Sequence, residues 1–230
     1  MLQTAPDQLI PALNASRQMA LDEALLACAP EASIILRFYR WSGPALTFGY
    51  SQPYALALAA ARRRVIPVAE VVRRATGGGI VFHDGDLTFS LCFPWTRLSP
   101  PAEIYAKIHG AAAAGLREMG VAAELWPARK QLGERPAQCF TGPEPCDVVD
   151  GRGRKILGGA LRRRSARGLY QGSLRVEGWP RNRPQLEAAL ARGLGRAWGS
   201  EPSQEIDSAW LTLADALAGK YGSVGWNQRR

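Results

Sequence analysis

The chain has 230 residues, of which 47% are hydrophobic and 21% charged, and this composition is typical of a globular protein rather than a disordered or fibrous one. Because the sequence has no apolar run of roughly 18 residues and no basic and apolar leader at its start, we expect no membrane span, no export and a cytoplasmic location. The net charge of +9 excludes little, since a positive field attracts nucleic acids, acidic proteins and phosphorylated small molecules alike.

The hydrophobic pattern predicts helices and strands in irregular alternation. In chain order we predict a helix over 14–29, strands over 34–39 and 46–49, a helix over 54–63, and strands over 65–72, 80–82 and 87–93. A helix that starts within 99–103 and runs to 119 follows, then a loop over 126–145, strands over 155–161 and 168–176 with a connection that contains the arginines at 162–164, and helices over 185–198 and 206–219. Strands grouped mid-chain with helices on the flanks predict an α+β fold. The length favours one domain over residues 1–230.

The cysteines and histidines do not have the spacing of a metal site. The four cysteines form no Cys-x-x-Cys pair, and the two histidines, His83 and His109, lie far apart in the sequence. We therefore expect no metal site. Cys28 and Cys92 stand in apolar surroundings, so both are expected in the core, and His109 is expected to be structural.

A glycine triplet follows two arginines where one predicted strand ends and another begins. The segment is Arg73-Arg74-Ala75-Thr76-Gly77-Gly78-Gly79. Three glycines together indicate unusual backbone angles or the close approach of another group to the main chain. Bare backbone N–H groups beside two guanidinium groups favour the binding of phosphate or carboxylate oxygens. The alternative is a glycine hairpin with an exposed basic rim.

A second motif places a lysine at the start of a predicted strand that soon contains two glycines. The segment is Gly153-Arg154-Lys155-Ile156-Leu157-Gly158-Gly159-Ala160. A lysine there can direct its ammonium group at a phosphate or a developing oxyanion. The alternatives are a solvated lysine on an edge strand and, because arginines crowd residues 152–167, a non-enzymatic nucleic-acid-binding patch.

With these two motifs in order, the sequence resembles the biotin/lipoate A/B protein ligase superfamily, in the branch of lipoate–protein ligase A and the octanoyltransferases. Further blocks of the resemblance are Asn14 with Leu21-Asp22-Glu23, Thr47-Phe48-Gly49-Tyr50-Ser51-Gln52, Ile80-Val81-Phe82-His83-Asp84, Gln171-Gly172-Ser173-Leu174 and Lys220-Tyr221-Gly222-Ser223. The match runs over residues 14–227. The family often has a histidine before the Gly-Ser pair, where this chain has Gln171.

The resemblance implies one catalytic domain with a central mixed β-sheet flanked by helices and an acyl chain held under the glycine loop. Lys155 is the implied catalytic lysine. The implied acyl- or adenylate-binding residues are Arg73, Arg74, Thr76, Gly77, Gly78, Gly79, His83, Asp84, Gly158, Gly159 and Ala160. We expect no accessory C-terminal domain of the kind found in longer ligases.

Two reactions fit the resemblance. A ligase would use ATP and Mg²⁺ to make an acyl-adenylate from lipoate or octanoate, and Gly79 favours this preferred reaction. A transferase would take octanoate from acyl carrier protein with a cysteine nucleophile, for which Cys139, in Cys139-Phe140-Thr141-Gly142-Pro143, is the candidate. In both reactions the acceptor is a lysine on the lipoyl domain of a 2-oxoacid dehydrogenase or on the glycine-cleavage H protein, and the partner surface is expected to be acidic.

Overall fold

Two β-sheets and the helices around them form the part of the chain described by the computed structural model, residues 12–96, 99–127, 142–175 and 183–229. The helices are α1 (Ala15–Cys28), α2 (Tyr54–Arg62), α3 (Pro101–Glu118), α4 (Arg183–Trp198), α5 (Ser208–Gly222) and α6 (Val224–Asn227). The strands are β1 (Ile35–Phe38), β2 (Ala45–Phe48), β3 (Glu70–Arg73), β4 (Val81–His83), β5 (Leu87–Pro94), β6 (Glu124–Leu125), β7 (Val148–Val149), β8 (Lys155–Arg164) and β9 (Arg167–Leu174). Within the described ranges, no helix is both long and apolar enough to cross a bilayer.

The larger sheet has six antiparallel strands in the order β1-β5-β9-β8-β7-β6. Side chains alternate between its two faces, as strand geometry requires. One face is apolar and packs with α3 and α4 into the main core, which includes Phe89, Leu91 and Tyr170. The other face is small and polar at its centre, where Ala160 pairs with Gln171 across β8 and β9. This second face is available to form a site.

The smaller sheet has the order β3-β2-β4 and lies over the polar face of the larger one. Strands β2 and β3 run parallel, and β2 and β4 run antiparallel. Helix α1 packs mainly on α5 and also contacts both sheets. It begins after Asn14, whose side chain accepts a hydrogen bond from the Arg17 N–H at 3.0 Å, a cap worth about 1 kcal/mol.

The predicted α+β class is confirmed, and most predicted elements lie within a few residues of the observed ones. The strands divide between an antiparallel sheet and a small mixed sheet instead of forming one mixed sheet. The short strands β6 and β7 were not predicted, because two-residue strands carry almost no periodic signal.

Two predicted boundaries were wrong. The strand predicted over 65–72 is only β3, and Val65 is 98% exposed. Pro67 interrupts the apolar run, and proline cannot donate to a sheet ladder. The arginines at 162–164, predicted as a connection, continue strand β8, and the hairpin turn contains only Ser165 and Ala166. Cys92 is buried as predicted, whereas Cys28 is exposed.

Candidate active site

A narrow cavity lies between the polar face of the larger sheet and the smaller sheet. Its empty volume is about 430 Å³, including the mouth. The lining residues come from α1, both sheets and the glycine loop: Met19, Tyr39, Thr47, Arg74, Gly78, Val81, His83, Thr88, Gly158, Gly159, Ala160, Gln171, Gly172 and Ser173. The cavity thus brings together both motifs that the sequence singled out, although about 80 residues separate them in the chain.

The glycine loop forms one wall of the cavity. Gly78 has a φ of +83°, a conformation that favours glycine, and it lies at the exposed rim. Gly49, at the end of β2, allows the loop to pack closely, since a Cβ there would lie 1.9 Å from the Gly78 carbonyl oxygen. The main chain of the glycine loop is therefore closely approached, as predicted, and one group that approaches it is the protein's own backbone at Gly49.

The two arginines of the motif have different surroundings. Arg74 lines the cavity and braces the loop, because its Nη2 donates to the carbonyl oxygens of Gly77 and Gly79 at 2.8 and 2.9 Å. The guanidinium group of Arg73 instead donates to five backbone carbonyl oxygens, those of Tyr50, Gln52, Trp226, Asn227 and Arg229. All five N–H donors of Arg73 are engaged in this way, so the structure assigns Arg73 to the fold rather than to ligand contact.

Behind the glycine loop, a chain of hydrogen bonds joins Thr76 to a buried carboxylate. Thr76 Oγ1 donates to Gln171 Oε1 at 2.5 Å, and Gln171 Nε2 donates to Asp22 Oδ2 at 2.6 Å. Asp22 also pairs with Arg37, and both side chains are at most 2% exposed. The Tyr39 hydroxyl donates to the same carboxylate. Burial is the first cause that raises the pKa of Tyr39 well above its usual value, so the hydroxyl remains a donor.

His83 lies between the two sheets with both ring nitrogens engaged. Nδ1 is 2.9 Å from Asp86 Oδ2, and Nε2 is 2.8 Å from Thr47 Oγ1. Because a carboxylate only accepts, Nδ1 carries the proton. Burial raises the pKa of Asp86, but the charge of His83 and hydrogen bonds from His83, Ser173 and Thr88 outweigh it, so the net pKa is lowered. The carboxylate therefore stays ionised and fixes the orientation of the imidazole.

Asp84, the neighbour of His83, faces a different direction. Its carboxylate forms an ion pair with Arg64 and borders a second, separate pocket rather than the cavity. The sequence-predicted residues therefore divide into two groups. Those that line the cavity are Arg74, Gly78, His83, Gly158, Gly159 and Ala160, and those that do not are Arg73, Thr76, Gly77, Gly79, Asp84 and Lys155. Thr76 is fully buried and acts on the wall through Gln171.

Lys155 lies beside the cavity, with its side chain over the backbone of the lining residue Gly158. A Cβ at Gly158 would lie 2.2 Å from Lys155 Cε and 2.6 Å from Nζ, so the Lys-x-x-Gly spacing gives the lysine side chain its path. The ammonium group pairs with Asp147 at 2.7 Å, and the two side chains are 4% and 7% exposed. Burial raises the pKa of Asp147, while the charge of Lys155 acts against that shift.

The next glycine, Gly159, has its own packing constraint. The Tyr170 ring passes beneath Gly159 and Gly172, and its hydroxyl oxygen would lie 2.3 Å from a Cβ at Gly159. The two glycines pair across β8 and β9, so the floor of the cavity is bare backbone above an aromatic ring. Ala160 adds only a methyl group, which leaves a slender space suited to a linear chain.

Cys139, the predicted nucleophile of the alternative reaction, lies outside the described residues. Within the described residues, no group of three or more His, Cys, Asp or Glu side chains is arranged to hold a metal ion. The arrangement that is present offers a buried ammonium group, backbone donors and a narrow channel. This combination can bind the carboxyl, thioester or acyl-phosphate end of a straight acyl chain and stabilise an oxyanion there.

Sequence reasoning missed Asp22, Asp147 and Gln171 as parts of this site. Asp22 had a signal, since a carboxylate inside the apolar stretch of α1 must find a buried partner. Gln171 stands in a block of the family resemblance, but its bond to Asp22, 149 residues away, could not be read from the sequence, and Asp147, whose partner lies 8 residues away, gave no signal.

Known proteins resemble the chain along most of its length. The family model described as the lipoyl protein ligase A/B catalytic domain matches residues 14–210. The octanoyltransferase LipM of Moorella thermoacetica is 36% identical over 168 residues, which are 68% of this chain and 59% of that protein. The LipM of Carboxydothermus hydrogenoformans is 33% identical over 169 residues, 71% of this chain and 62% of that protein. The matches thus span about three fifths of these relatives' length.

A solved structure shares the fold. The bipartite lipoate protein ligase of Thermoplasma acidophilum, described with its E2 lipoyl domain, superposes with a TM-score of 0.74 at 23% identity, over 95% of this chain and 93% of that one.

Proposed function

Since the chain belongs to the lipoyl protein ligase A/B catalytic-domain family, we propose that it transfers an octanoyl group to the lysine of a lipoyl domain. The proposed donor is octanoyl–acyl carrier protein, and the proposed nucleophile is Cys139. The observation that carries the proposal is the buried Lys155 ammonium group, held by Asp147 and lying over Gly158, which lines a narrow cavity between two sheets. The sequence favoured the ligase through Gly79, and the preference moves to the transferase because relatives at 33–36% identity are octanoyltransferases.

In the proposed first step, the Cys139 thiolate attacks the thioester carbonyl of the donor. A new C–S bond forms, the bond to the carrier sulfur breaks, and the carrier thiolate leaves and takes up a proton. The Lys155 ammonium group and backbone N–H groups at the cavity stabilise the negative charge on the carbonyl oxygen during this attack. The octanoyl chain lies along the cavity between Gly158 and Tyr39.

In the second step, the neutral amine of the acceptor lysine attacks the Cys139 thioester. An amide C–N bond forms, the C–S bond breaks, and the amine loses one proton as the cysteine thiol is regenerated. Acyl transfer is thus divided into two steps that use the same oxyanion site.

The second candidate is the ATP-dependent ligase, favoured by Gly79 and by the exposed glycine loop. In that case lipoate occupies the same cavity and the loop faces the phosphate of an acyl-adenylate. ATP with Mg²⁺ would supply the activation of the carboxylate. The nucleic-acid-binding alternative is set aside because the family consists of catalytic domains.

The test is a mass assay on an apo lipoyl domain with two separate acyl sources. We expect modification with octanoyl–acyl carrier protein in the absence of ATP, and its loss in Cys139→Ser. Modification that requires lipoate or octanoate together with Mg-ATP, and that persists in Cys139→Ser, would instead support the ligase. Lys155→Ala should abolish either reaction, and activity that survives this change would contradict the role of the cavity.

A further inference from the structure

We propose that His109 is a positioning residue for Lys155, acting through the backbone of Cys146 and the carboxylate of Asp147. The inference rests on the proposed function only in treating Lys155 as the catalytic lysine. His109 lies in the middle of α3, on the apolar side of the larger sheet, and lines no part of the cavity. It therefore acts on the reaction only through other groups.

The first link is the ion pair between Asp147 and Lys155. Asp147 Oδ2 is 2.7 Å from Lys155 Nζ and also accepts a hydrogen bond from the Glu144 N–H at 2.6 Å. Both members of the pair are almost fully buried, so neither is free to turn without leaving a buried charge uncompensated. The direction of the Asp147 carboxylate thus sets the position of the ammonium group.

The second link joins His109 to the residue before Asp147. His109 Nδ1 is 2.5 Å from the carbonyl oxygen of Cys146. Cys146 has a φ of +69°, a left-handed conformation that a non-glycine residue adopts only when its surroundings hold it there. The backbone of Trp126 accepts from the Cys146 N–H and donates to the Asp147 carbonyl oxygen, so the peptide groups on either side of the Cys146 carbonyl are also held. The hydrogen bond from His109 therefore helps to hold the turn that presents Asp147.

The third link joins His109 to the floor of the cavity. His109 Nε2 is 2.8 Å from the Tyr170 hydroxyl, whose ring lies beneath Gly159 and Gly172. Since a carbonyl oxygen only accepts, His109 Nδ1 is the donor, and Nε2 then accepts from Tyr170. Burial lowers the pKa of His109 to about 4, which keeps the ring neutral and this pattern intact at neutral pH. One hydrogen-bonded path therefore runs from the cavity floor to the catalytic lysine.

The test measures the chemical reactivity of Lys155 in the resting protein, without acyl donor or acceptor. The chain has only four lysines, so trinitrobenzenesulfonate labelling can be mapped by peptide mass spectrometry, with the exposed Lys107 as internal reference. In His109→Leu we expect Lys155 to be labelled at least threefold faster relative to Lys107, as in Asp147→Asn. His109→Asn, which keeps a donor near the δ position, should restore much of the protection.

A matched control lies one helical turn away on the same helix. Tyr105→Phe keeps the ring that packs edge-on against His109 and removes only the hydroxyl, which is not part of the path, so it should leave both Lys155 labelling and acyl transfer unchanged. Tyr170→Phe keeps the ring over the glycines and removes only the donor to His109, so we expect an intermediate rise in labelling. A folded His109→Leu variant with unchanged Lys155 labelling overturns the proposal, whatever acyl source the enzyme uses.

A second measurement uses only the wild-type protein, so it does not depend on whether a variant folds. The chain has two histidines, and ¹⁵N NMR of the wild-type protein distinguishes their tautomers. We expect His109 to carry its proton on Nδ1 and to remain neutral down to about pH 5. The Nε2–H tautomer, or a charged ring at pH 6, would break the path at Cys146 and overturn the proposal.

Discussion

At the scale of single residues, Gly158 is the position where the smallest change should have the largest effect on activity. In Gly158→Ala the new methyl group would occupy the path of Lys155 and displace its amine from Asp147. Because the colliding atoms are the flexible end of a side chain, we expect folding to persist and kcat to fall at least tenfold, about 1.4 kcal/mol of transition-state stabilisation. Steady-state kinetics and thermal unfolding of the same sample check both parts.

The matched glycine for this substitution is Gly219, in α5. It is exposed, and a Cβ there meets nothing within 4 Å. Gly219→Ala should leave kcat unchanged and stabilise the fold by up to about 1 kcal/mol, because alanine is the better helix former. Equal losses of activity in the two variants would mean that Gly158 has no special relation to Lys155.

At the scale of elements, Arg73 fastens the chain after β2 to the segment that includes α6. Its guanidinium group supplies hydrogen bonds to five carbonyl oxygens on these two segments. Arg73→Met would leave several buried carbonyl groups without donors, so we expect the free energy of unfolding to fall by about 3 kcal/mol or more. Urea unfolding measures this loss.

Arg196 provides the comparison for Arg73. It pairs with Glu118 on the surface, where the two side chains are 51% and 48% exposed. Arg196→Met should therefore cost less than about 1 kcal/mol. If Arg73→Met lowers the free energy of unfolding no more than Arg196→Met does, the five hydrogen bonds of Arg73 do not stabilise the fold. Arg73 would then again be a candidate for ligand binding.

The elements that the sequence predicted are those with a strong local pattern. Helices α1 and α3, strand β5 and the motifs around Gly78 and Lys155 were all located, because periodicity, breakers and glycine runs are local properties. The division of strands between two sheets could not be predicted, since it depends on pairing between distant segments such as β5 and β9.

The residues of the candidate site divide in the same way, into those that a local motif indicates and those that only long-range contacts bring together. Lys155 and Arg74 stand in motifs, whereas Asp147 and His109 acquire their roles only through contacts that folding creates. The different roles of Arg73 and Arg74 were equally hidden, because adjacent residues on a strand point to opposite faces and only the fold shows which face holds the cavity.

At the scale of the whole molecule, stability should depend on pH through His109. The folded protein keeps His109 neutral down to a pKa of about 4, whereas the unfolded chain takes up the proton near pH 6.5. The unfolded state therefore binds more protons between these values, and the free energy of unfolding should fall by about 2 kcal/mol from pH 7 to pH 5.

Denaturant unfolding at the two pH values measures this slope. In His109→Asn, most of this change in the unfolding free energy between pH 7 and pH 5 should be lost. Burial raises the pKa of Asp147, which favours the folded state as the pH falls and so opposes the effect of His109. The wild-type and His109→Asn proteins both retain Asp147, so this effect cancels in their comparison. An unfolding free energy that is constant from pH 7 to pH 5 in the wild-type protein would contradict a buried neutral His109.

Charge is unevenly distributed along the chain, and the segment that contains strands β8 and β9 is basic. Residues 151–176 contain eight Lys and Arg residues and no Asp or Glu. Arg162, two residues beyond Ala160 on β8, and Arg229 both contact the ring of Tyr50, with guanidinium carbons 5.2 and 3.7 Å from its centre. We propose that an acidic lipoyl domain approaches the surface around Arg162 and Arg229.

Charge reversal tests that approach. Arg162→Glu should raise the KM for the lipoyl domain about tenfold at low salt, with a smaller effect at high salt, because complementary charge mainly accelerates association. Arg196→Glu changes the net charge equally but lies on α4, against the other face of the sheet, and should change KM little. Equal effects of the two reversals would show that only net charge matters.

We propose that acyl transfer passes through a covalent enzyme intermediate on Cys139, with the acyl chain in the cavity beside Lys155. The most direct measurement is intact-mass and peptide mass spectrometry of the protein after mixing with octanoyl–acyl carrier protein, without ATP and without acceptor. We expect one octanoyl group, attached to Cys139 and released when an apo lipoyl domain is added. A protein that stays unmodified, yet acylates the lipoyl domain once octanoate and Mg-ATP are supplied, would contradict it.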